Sequence, residues 1–148
     1  MQQVTQTAGH ALRTIMLAGY ADIAQTYAEG LRRTPGVVDF RILRTDGTEA
    51  FRDNRTIHGV NARLGSDEFF PREVETEVRL LDAEDPALKS ALDQQRSVLN
   101  YTRDEHSDET LTVLMPIANE PDCRRCHGAD SPIRRVIQVS STLSCLEA

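Results

Sequence analysis

The chain has 148 residues, 39% of them hydrophobic and 27% charged, with a formal net charge of -6 at pH 7. This composition is typical of globular domains, and the length predicts a single domain over residues 1–148 whose core needs no disulfide or structural metal. Nucleic-acid binding is excluded, because Lys89 is the single lysine and no basic run follows a phosphate backbone.

The first part of the chain, from about residue 8 to 33, predicts a long amphipathic helix or two helices in line. Pro35 and Gly36 mark where this helical region ends, and Gly19 is a candidate joint within it. The apolar positions that recur at helical spacing are Leu12, Met16, Ile23, Tyr27 and Leu31. The next segment alternates polar and apolar residues up to Asp46 and Gly47, which predicts a two-stranded hairpin.

The second half of the chain is rich in strand patterns. Residues 53–80 predict an irregular segment with a helix around 71–80, and Pro86 in "DAEDPALKSALDQQRS" predicts a short helix. Three further strands are predicted in "SVLNYTR", "ETLTVLMPI" and "IRRVIQVSS", with a loop over 119–132 between the last two. Runs of strands without strict helix alternation indicate an α+β domain with an antiparallel sheet.

The loop "NEPDCRRCHGAD" at 119–130 contains two thiols and an imidazole, Cys123, Cys126 and His127. A C-x-x-C pair occurs in redox dithiols, in zinc sites and at haem attachment points. A zinc site needs two more ligands, and the remaining cysteine and histidines form no second pair of suitable spacing. A thioredoxin-like dithiol lies at the start of a βαβ unit, whereas this pair comes late in the chain.

The full pattern C-x-x-C-H matches the chemistry of c-type haem attachment. Two thiols at this spacing form thioethers with the vinyl groups of one porphyrin, and the following imidazole ligates the iron. We therefore predict one haem c, bound covalently through Cys123 and Cys126, with His127 as the proximal iron ligand.

The compartment follows from this chemistry. The N-terminal sequence lacks the pattern of a signal peptide, and no apolar run is long enough to cross a bilayer. Covalent haem attachment of this type nevertheless takes place outside the bacterial cytoplasm. We interpret the sequence as an exported, periplasmic piece of a longer protein.

Two stretches resemble a known family, the c-type-haem-containing PAS-like or Cache-like periplasmic sensor domains of chemotaxis transducers and sensor histidine kinases. The stretches are "VLMPIANEPDCRRCHG" at 113–128, followed by "IRRVIQVSS", and "IMLAGYADIAQTYAEGLRRTPGVVDFRILRTDGTEAF" at 15–51. They cover about half of the chain. Where the family usually has a glycine at the start of the last strand, this chain has Arg134 and Arg135.

The resemblance implies an antiparallel five-stranded sheet flanked by helices, with a long N-terminal helix over about 8–33 and a PAS-like core over about 36–143. It also implies a haem at the edge of the sheet and a homodimer formed through the N-terminal helix. The parent protein is expected to be a membrane-anchored receptor.

The second axial ligand of the iron is not fixed by the motif. Met16 is the first candidate, since a thioether bond is weak enough to be displaced and the resemblance implies a ligand from the N-terminal helix, in one subunit or its partner. A core position for Met16 and a vacant site remain alternatives. His10, His58 and His106 are further candidates for this ligand, and a surface position is the alternative for each. Met115 is another candidate, with a core position as its alternative. Cys145 is an odd thiol without an assigned role.

These predictions lead to a function in signalling. The leading hypothesis is a sensor domain in which redox state or a small diatomic ligand changes ligation at the iron and moves the N-terminal helix. The alternative is a small periplasmic electron-transfer cytochrome c. An enzyme is not expected, because no catalytic set of side chains is evident beyond the haem. Arg134 and Arg135 are either partners of the haem propionates or part of a solvated strand face.

Overall fold

A computed structural model describes residues 2–17, 24–103 and 109–142, apart from the side chains of residues 2–5, 16, 17 and 25. The helices are α1 (Gln2–Leu17), α2 (Ala24–Leu31), α3 (Arg55–Leu64), α4 (Pro86–Gln94) and α5 (Pro121–His127). The strands are β1 (Val37–Leu43), β2 (Val98–Arg103), β3 (Glu109–Ala118) and β4 (Ile133–Thr142). No helix among these is long and apolar enough to span a membrane.

The strands form one antiparallel sheet in the order β1-β4-β3-β2. This confirms the α+β class with an antiparallel sheet. Strand β4 lies in the middle, and its residues Val136, Ile137 and Val139 are fully buried. Each such side chain contributes about 1.5–3 kcal/mol of hydrophobic stabilisation, so β4 anchors the core.

Helices cover both faces of the sheet. On one face, Phe40 and Ile137 pack with Leu12 of α1 and Ala28 of α2. On the other face, Leu88 of α4 packs with residues of the same sheet, including Leu43, Leu114 and Val136. Small residues bring α1 close to the sheet, because a Cβ at Gly9 would lie 2.9 Å from the Cε atom of Met115.

The described residues form four strands, not the five expected. The second strand of the predicted hairpin is reduced to isolated bridges, Leu43 to Glu49 and Thr48 to Arg79. The chain does turn at Gly47, which has φ +90°, and the Ala50 amide still donates to the Ile42 carbonyl oxygen. Phe51 then adopts a left-handed φ of 66°, which ends the extended conformation.

One other prediction is not confirmed and two are corrected by the structure. For the prediction of one long helix, or two in line, over about 8 to 33, the described residues show α1, which begins at Gln2, and α2, which ends at Leu31, while the joint at Gly19 lies outside them. Residues 71–80 are not helical, and the helix in this part of the chain is instead α3. The predicted loop 119–132 contains α5, whereas the predicted helix at Pro86 is confirmed as α4.

Candidate haem site

Helix α5 carries the C-x-x-C-H motif in full. Pro121 occupies its first turn, and Gly128 caps its end with φ 74°. Residues three and four positions apart lie on the same side of a helix, with Cβ atoms about 5–6 Å apart. The helical conformation therefore places Cys123, Cys126 and His127 on one side of α5, and both thiols are free and half-buried.

This side of α5 faces a cavity of about 460 Å³. Cavities that bind cofactors and other small molecules range from about 300 to 1,000 Å³. Cys123, Cys126 and His127 all line the cavity, together with Leu12 and Arg13 of α1. Apolar side chains form much of the remaining wall: Ile42, Phe51, Ile57, Val60, Phe69 and Ile117.

The environment of His127 keeps its imidazole neutral. Burial, reinforced by the guanidinium groups of Arg134, Arg135 and Arg63, lowers the pKa of His127 from 6.5 to about 3. At neutral pH the ring therefore carries no positive charge and keeps a free nitrogen lone pair. That is the form in which histidine binds iron.

Hydrogen bonds close the segment that contains α5 at both ends. The buried side-chain amide of Asn119 donates to the carbonyl oxygens of Gly128 at 2.8 Å and Ser131 at 3.0 Å. The backbone amide of Asn119 donates to the carbonyl oxygen of Pro132 at 2.8 Å. The motif is thus held on a short helix with fixed ends and not on a free loop.

Helix α3, which the sequence patterns did not predict, packs against α5 and supplies Thr56, Ile57 and Val60 to the cavity. Two asparagines at its ends pair with the chain that follows it. Asn54 hydrogen-bonds to both backbone groups of Arg72, and Asn61 to both backbone groups of Phe69. These bonds hold the segment that brings Phe69 and Phe70 to the cavity.

The sequence offered a signal for α3. Asp53 and Asn54 precede it, Gly65 follows it with φ 71°, and Ile57, Val60 and Leu64 repeat at helical spacing. The side chains Arg44, Phe51 and Phe69 carried no such signal, since they reach the cavity only through the tertiary fold.

The other candidate iron ligands differ in their position relative to the cavity. His10 and His58 are exposed and do not line the cavity, and Met115 packs against the core. Met16 lies in α1, one turn after the cavity residue Leu12, but its side chain is outside the part that the structure describes. His106 and Cys145 also lie outside the described residues.

In comparisons with known proteins, no family model matches the chain and no curated protein matches it significantly. Within residues 2–17, 24–103 and 109–142, no group of three or more His, Cys, Asp and Glu side chains is arranged to hold a bare metal ion.

The residues around the cavity fit a covalent haem. A porphyrin supplies four nitrogen ligands itself, so the protein needs to provide thiols, an axial imidazole and an apolar wall. Cys123, Cys126 and His127 provide the first two, and the side chains of the cavity provide the third. The Nε atom of Arg134 is buried without a hydrogen-bond partner, which suits a wall that meets a polar edge of a bound group.

Proposed function

We propose that the protein binds one haem c in this cavity, through thioether bonds from Cys123 and Cys126 and with His127 as proximal iron ligand. One observation carries the proposal: the two thiols and the imidazole share one side of α5 and line the same apolar cavity. When bound, the haem supplies an iron that changes its oxidation state and binds small diatomic ligands.

The residues of the chain have distinct tasks in this proposal. The short helix α5 fixes the spacing of the thiols and the position of the imidazole. Leu12, Phe51 and Val60 of the cavity wall would exclude water from the bound haem and so lower the local dielectric around it.

We propose that the domain is a sensor of redox state or of a small gaseous ligand. Its support is the position of α1, because Leu12 and Arg13 belong both to this helix and to the cavity wall. A ligand carried by α1, for which Met16 is the candidate, would connect the iron directly to the helix. Displacement of that ligand would then shift the helix.

The wider setting is proposed from the resemblance of residues 15–51 and 113–128 to periplasmic sensor domains. We expect a periplasmic domain of a membrane-anchored receptor that dimerises through its N-terminal helix. The expected partner of this domain is either a small diatomic ligand of the iron or a redox partner. No catalytic activity is expected.

An absorption spectrum tests the sensor proposal. The full chain is expressed with the cytochrome maturation machinery and measured in the ferric state, in the reduced state, and after carbon monoxide is added. We expect the reduced spectrum to shift with carbon monoxide, because the bond on the distal side is weak or absent. An unchanged spectrum would contradict gas sensing and favour redox sensing or electron transfer by a small cytochrome c.

Two variants identify the distal ligand in the same assay. Met16→Ala is expected to change the ferric spectrum and to raise the affinity for carbon monoxide, whereas Met115→Ala, the matched control in the core, leaves the distal side unchanged. Identical spectra and affinities for Met16→Ala and the wild type would exclude Met16 as a ligand.

A further inference from the structure

Two consecutive residues of β4, Arg134 and Arg135, both line the cavity. Neighbouring side chains of a regular strand point to opposite faces of the sheet. The register between β3 and β4 shifts at this point, since Ile117 pairs with Arg135 and Ala118 pairs with Ile133. Arg134 is therefore the extra residue of a β-bulge, which lets both arginines reach the same cavity.

These two arginines differ from Arg13 and Arg44, which also line the cavity. Arg13 forms an ion pair with Asp122, and Arg44 forms one with Asp53. Among the described residues, no carboxylate lies within salt-bridge distance of Arg134 or Arg135. The guanidinium group of Arg135 donates only to neutral oxygens, the Thr56 hydroxyl at 3.2 Å and the Arg134 carbonyl at 3.0 Å.

The two guanidinium groups differ in burial, since Arg135 is buried and Arg134 is half-buried. Arg135 is only 8% exposed, and the Nε atom of Arg134 is buried without a hydrogen-bond partner. Burial lowers the pKa of Arg134 to about 10 and lowers that of Arg135 well below its ordinary value. Asp46 offsets part of this effect at Arg135, but burial outweighs it, so this wall of the cavity favours an anionic ligand.

We propose that Arg134 and Arg135 bind the propionate carboxylates of the haem and thereby turn these groups toward β4, away from solvent. The inference rests on the proposed haem site and adds the residues that orient the ring. Arginine matches a carboxylate with two parallel hydrogen bonds, which also fixes the orientation of the bound group. A haem carries a pair of propionates, and the wall offers a pair of arginines that form no salt bridge with a carboxylate of the described residues.

The two arginines are also expected to affect the midpoint potential of the haem iron. Reduction adds an electron to the haem, and buried positive charges beside it stabilise the reduced form. Each arginine that is lost leaves a propionate charge unbalanced in a low-dielectric site. Removal of either guanidinium group is therefore expected to lower the midpoint potential.

The test uses the matured full chain with its haem. Arg134→Gln and Arg135→Gln are compared with the wild type by resonance Raman spectroscopy of the propionate bending modes and by potentiometric titration. Arg125→Gln is the matched control, because Arg125 lies in α5 between the two cysteines but is exposed and has no ion pair among the described residues. Arg134→Lys keeps the charge and removes the bidentate geometry.

We expect both glutamine variants to shift the propionate bands and to lower the midpoint potential, whereas Arg125→Gln changes neither. Arg134→Lys should shift the bands but retain most of the potential, and it serves as the test if the glutamine variants do not fold. Wild-type bands and potential in variants that carry haem would overturn the inference and leave the haem site intact. A wild-type chain that takes up no haem would instead overturn the proposed function.

Discussion

Arg13 of α1 donates to the carboxylate of Asp122 in the first turn of α5, with 2.8 Å between Nη2 and Oδ2. This ion pair joins the N-terminal helix directly to the helix that carries the C-x-x-C-H motif. The two side chains are 36% and 60% exposed, so the pair adds only about 0.2–1 kcal/mol to stability. Because this contribution is small, we expect the pair to matter more for the coupling of α1 to α5 than for stability.

A double-mutant cycle on this pair tests whether the state of the haem changes the contact between α1 and α5. Arg13→Gln, Asp122→Asn and the double variant are measured by chemical denaturation in the ferric state and in the reduced state with carbon monoxide. We expect the coupling energy, about 0.2–1 kcal/mol, to differ between the two states. The exposed pair Lys89 and Glu84, 2.5 Å apart and remote from the cavity, should give the same coupling in both. Equal coupling at Arg13 and Asp122 in both states would contradict this route.

The hydrogen bonds of Asn119 predict a loss of stability on truncation. Asn119→Ala removes the two bonds from its side-chain amide to the carbonyl oxygens of Gly128 and Ser131, and leaves these acceptors unpaired. We expect a loss of about 1–3 kcal/mol in the free energy of unfolding, measured with urea. Asn100→Ala, on the exposed strand β2, should stay within about 0.5 kcal/mol of the wild type. Equal effects of the two substitutions would show that Asn119 does not hold the segment.

A pair of glycine substitutions separates backbone strain from helix propensity. Gly128 has φ 74° and ψ -178°, a conformation adopted almost only by glycine, and a Cβ there would lie 2.6 Å from Cζ of Arg63. Gly128→Ala should therefore lower the free energy of unfolding by about 1–3 kcal/mol. Gly59 lies within α3, and a Cβ added there would meet no atom within 4 Å, so Gly59→Ala should stabilise by about 0.4–1 kcal/mol. Thermal unfolding of both variants checks the opposite signs, and stabilisation by Gly128→Ala would contradict the assigned backbone.

The lowered pKa of Asp46 predicts a loss of folding stability at acidic pH. Burial alone would raise its pKa, but hydrogen bonds from Thr48 and Arg55 outweigh that effect and lower the pKa from 3.8 to about 2. Because the folded-state pKa lies below the unfolded value, the stabilisation is complete above about pH 4 and is lost as the pH falls toward the folded value. Asp46→Asn should reduce the change in unfolding free energy over this range, whereas the exposed control Asp67→Asn should not. An unchanged pH profile for Asp46→Asn would contradict the lowered pKa.

The parts of the fold that depend on local patterns could be predicted from the sequence. Strands β2, β3 and β4 alternate polar and apolar residues, and Asp85 before Pro86 caps α4 by accepting a hydrogen bond from the Leu88 amide. Helix α3 was missed although Gly65 and the spacing of its apolar residues indicated it, since its start lacks a side-chain cap and Asn54 bonds instead to Arg72, far along the chain. Such a contact has no local signature.

The missing strand has a similar cause. The segment after Gly47 was expected to pair along β1, but Glu49 is buried and its carboxylate contacts Arg32, Arg41 and Arg52. This charged cluster, together with the left-handed Phe51, directs the chain away from the sheet. The contact with Arg32 of α2 and the conformation of Phe51 depend on the tertiary fold, so short sequence windows could not predict them.

The candidate site likewise contains residues that a local pattern predicts and residues that only the tertiary fold brings together. The spacing of Cys123, Cys126 and His127 is a local pattern that predicts a shared role, and the three residues line one cavity. The cavity wall is not local, because α1, α3 and β4 reach it from distant parts of the sequence. The role of Arg134 and Arg135 in that wall depends on a bulge, which alternation along a strand does not predict.

The most direct test of the central claim is the intact mass of the full chain after expression with the cytochrome maturation machinery, together with the haem content by pyridine haemochrome assay. We predict one covalently attached haem per chain, a single thioether in Cys123→Ala or Cys126→Ala, and full attachment in the control Cys145→Ala. A folded wild-type chain of unmodified mass and without haem would contradict the account.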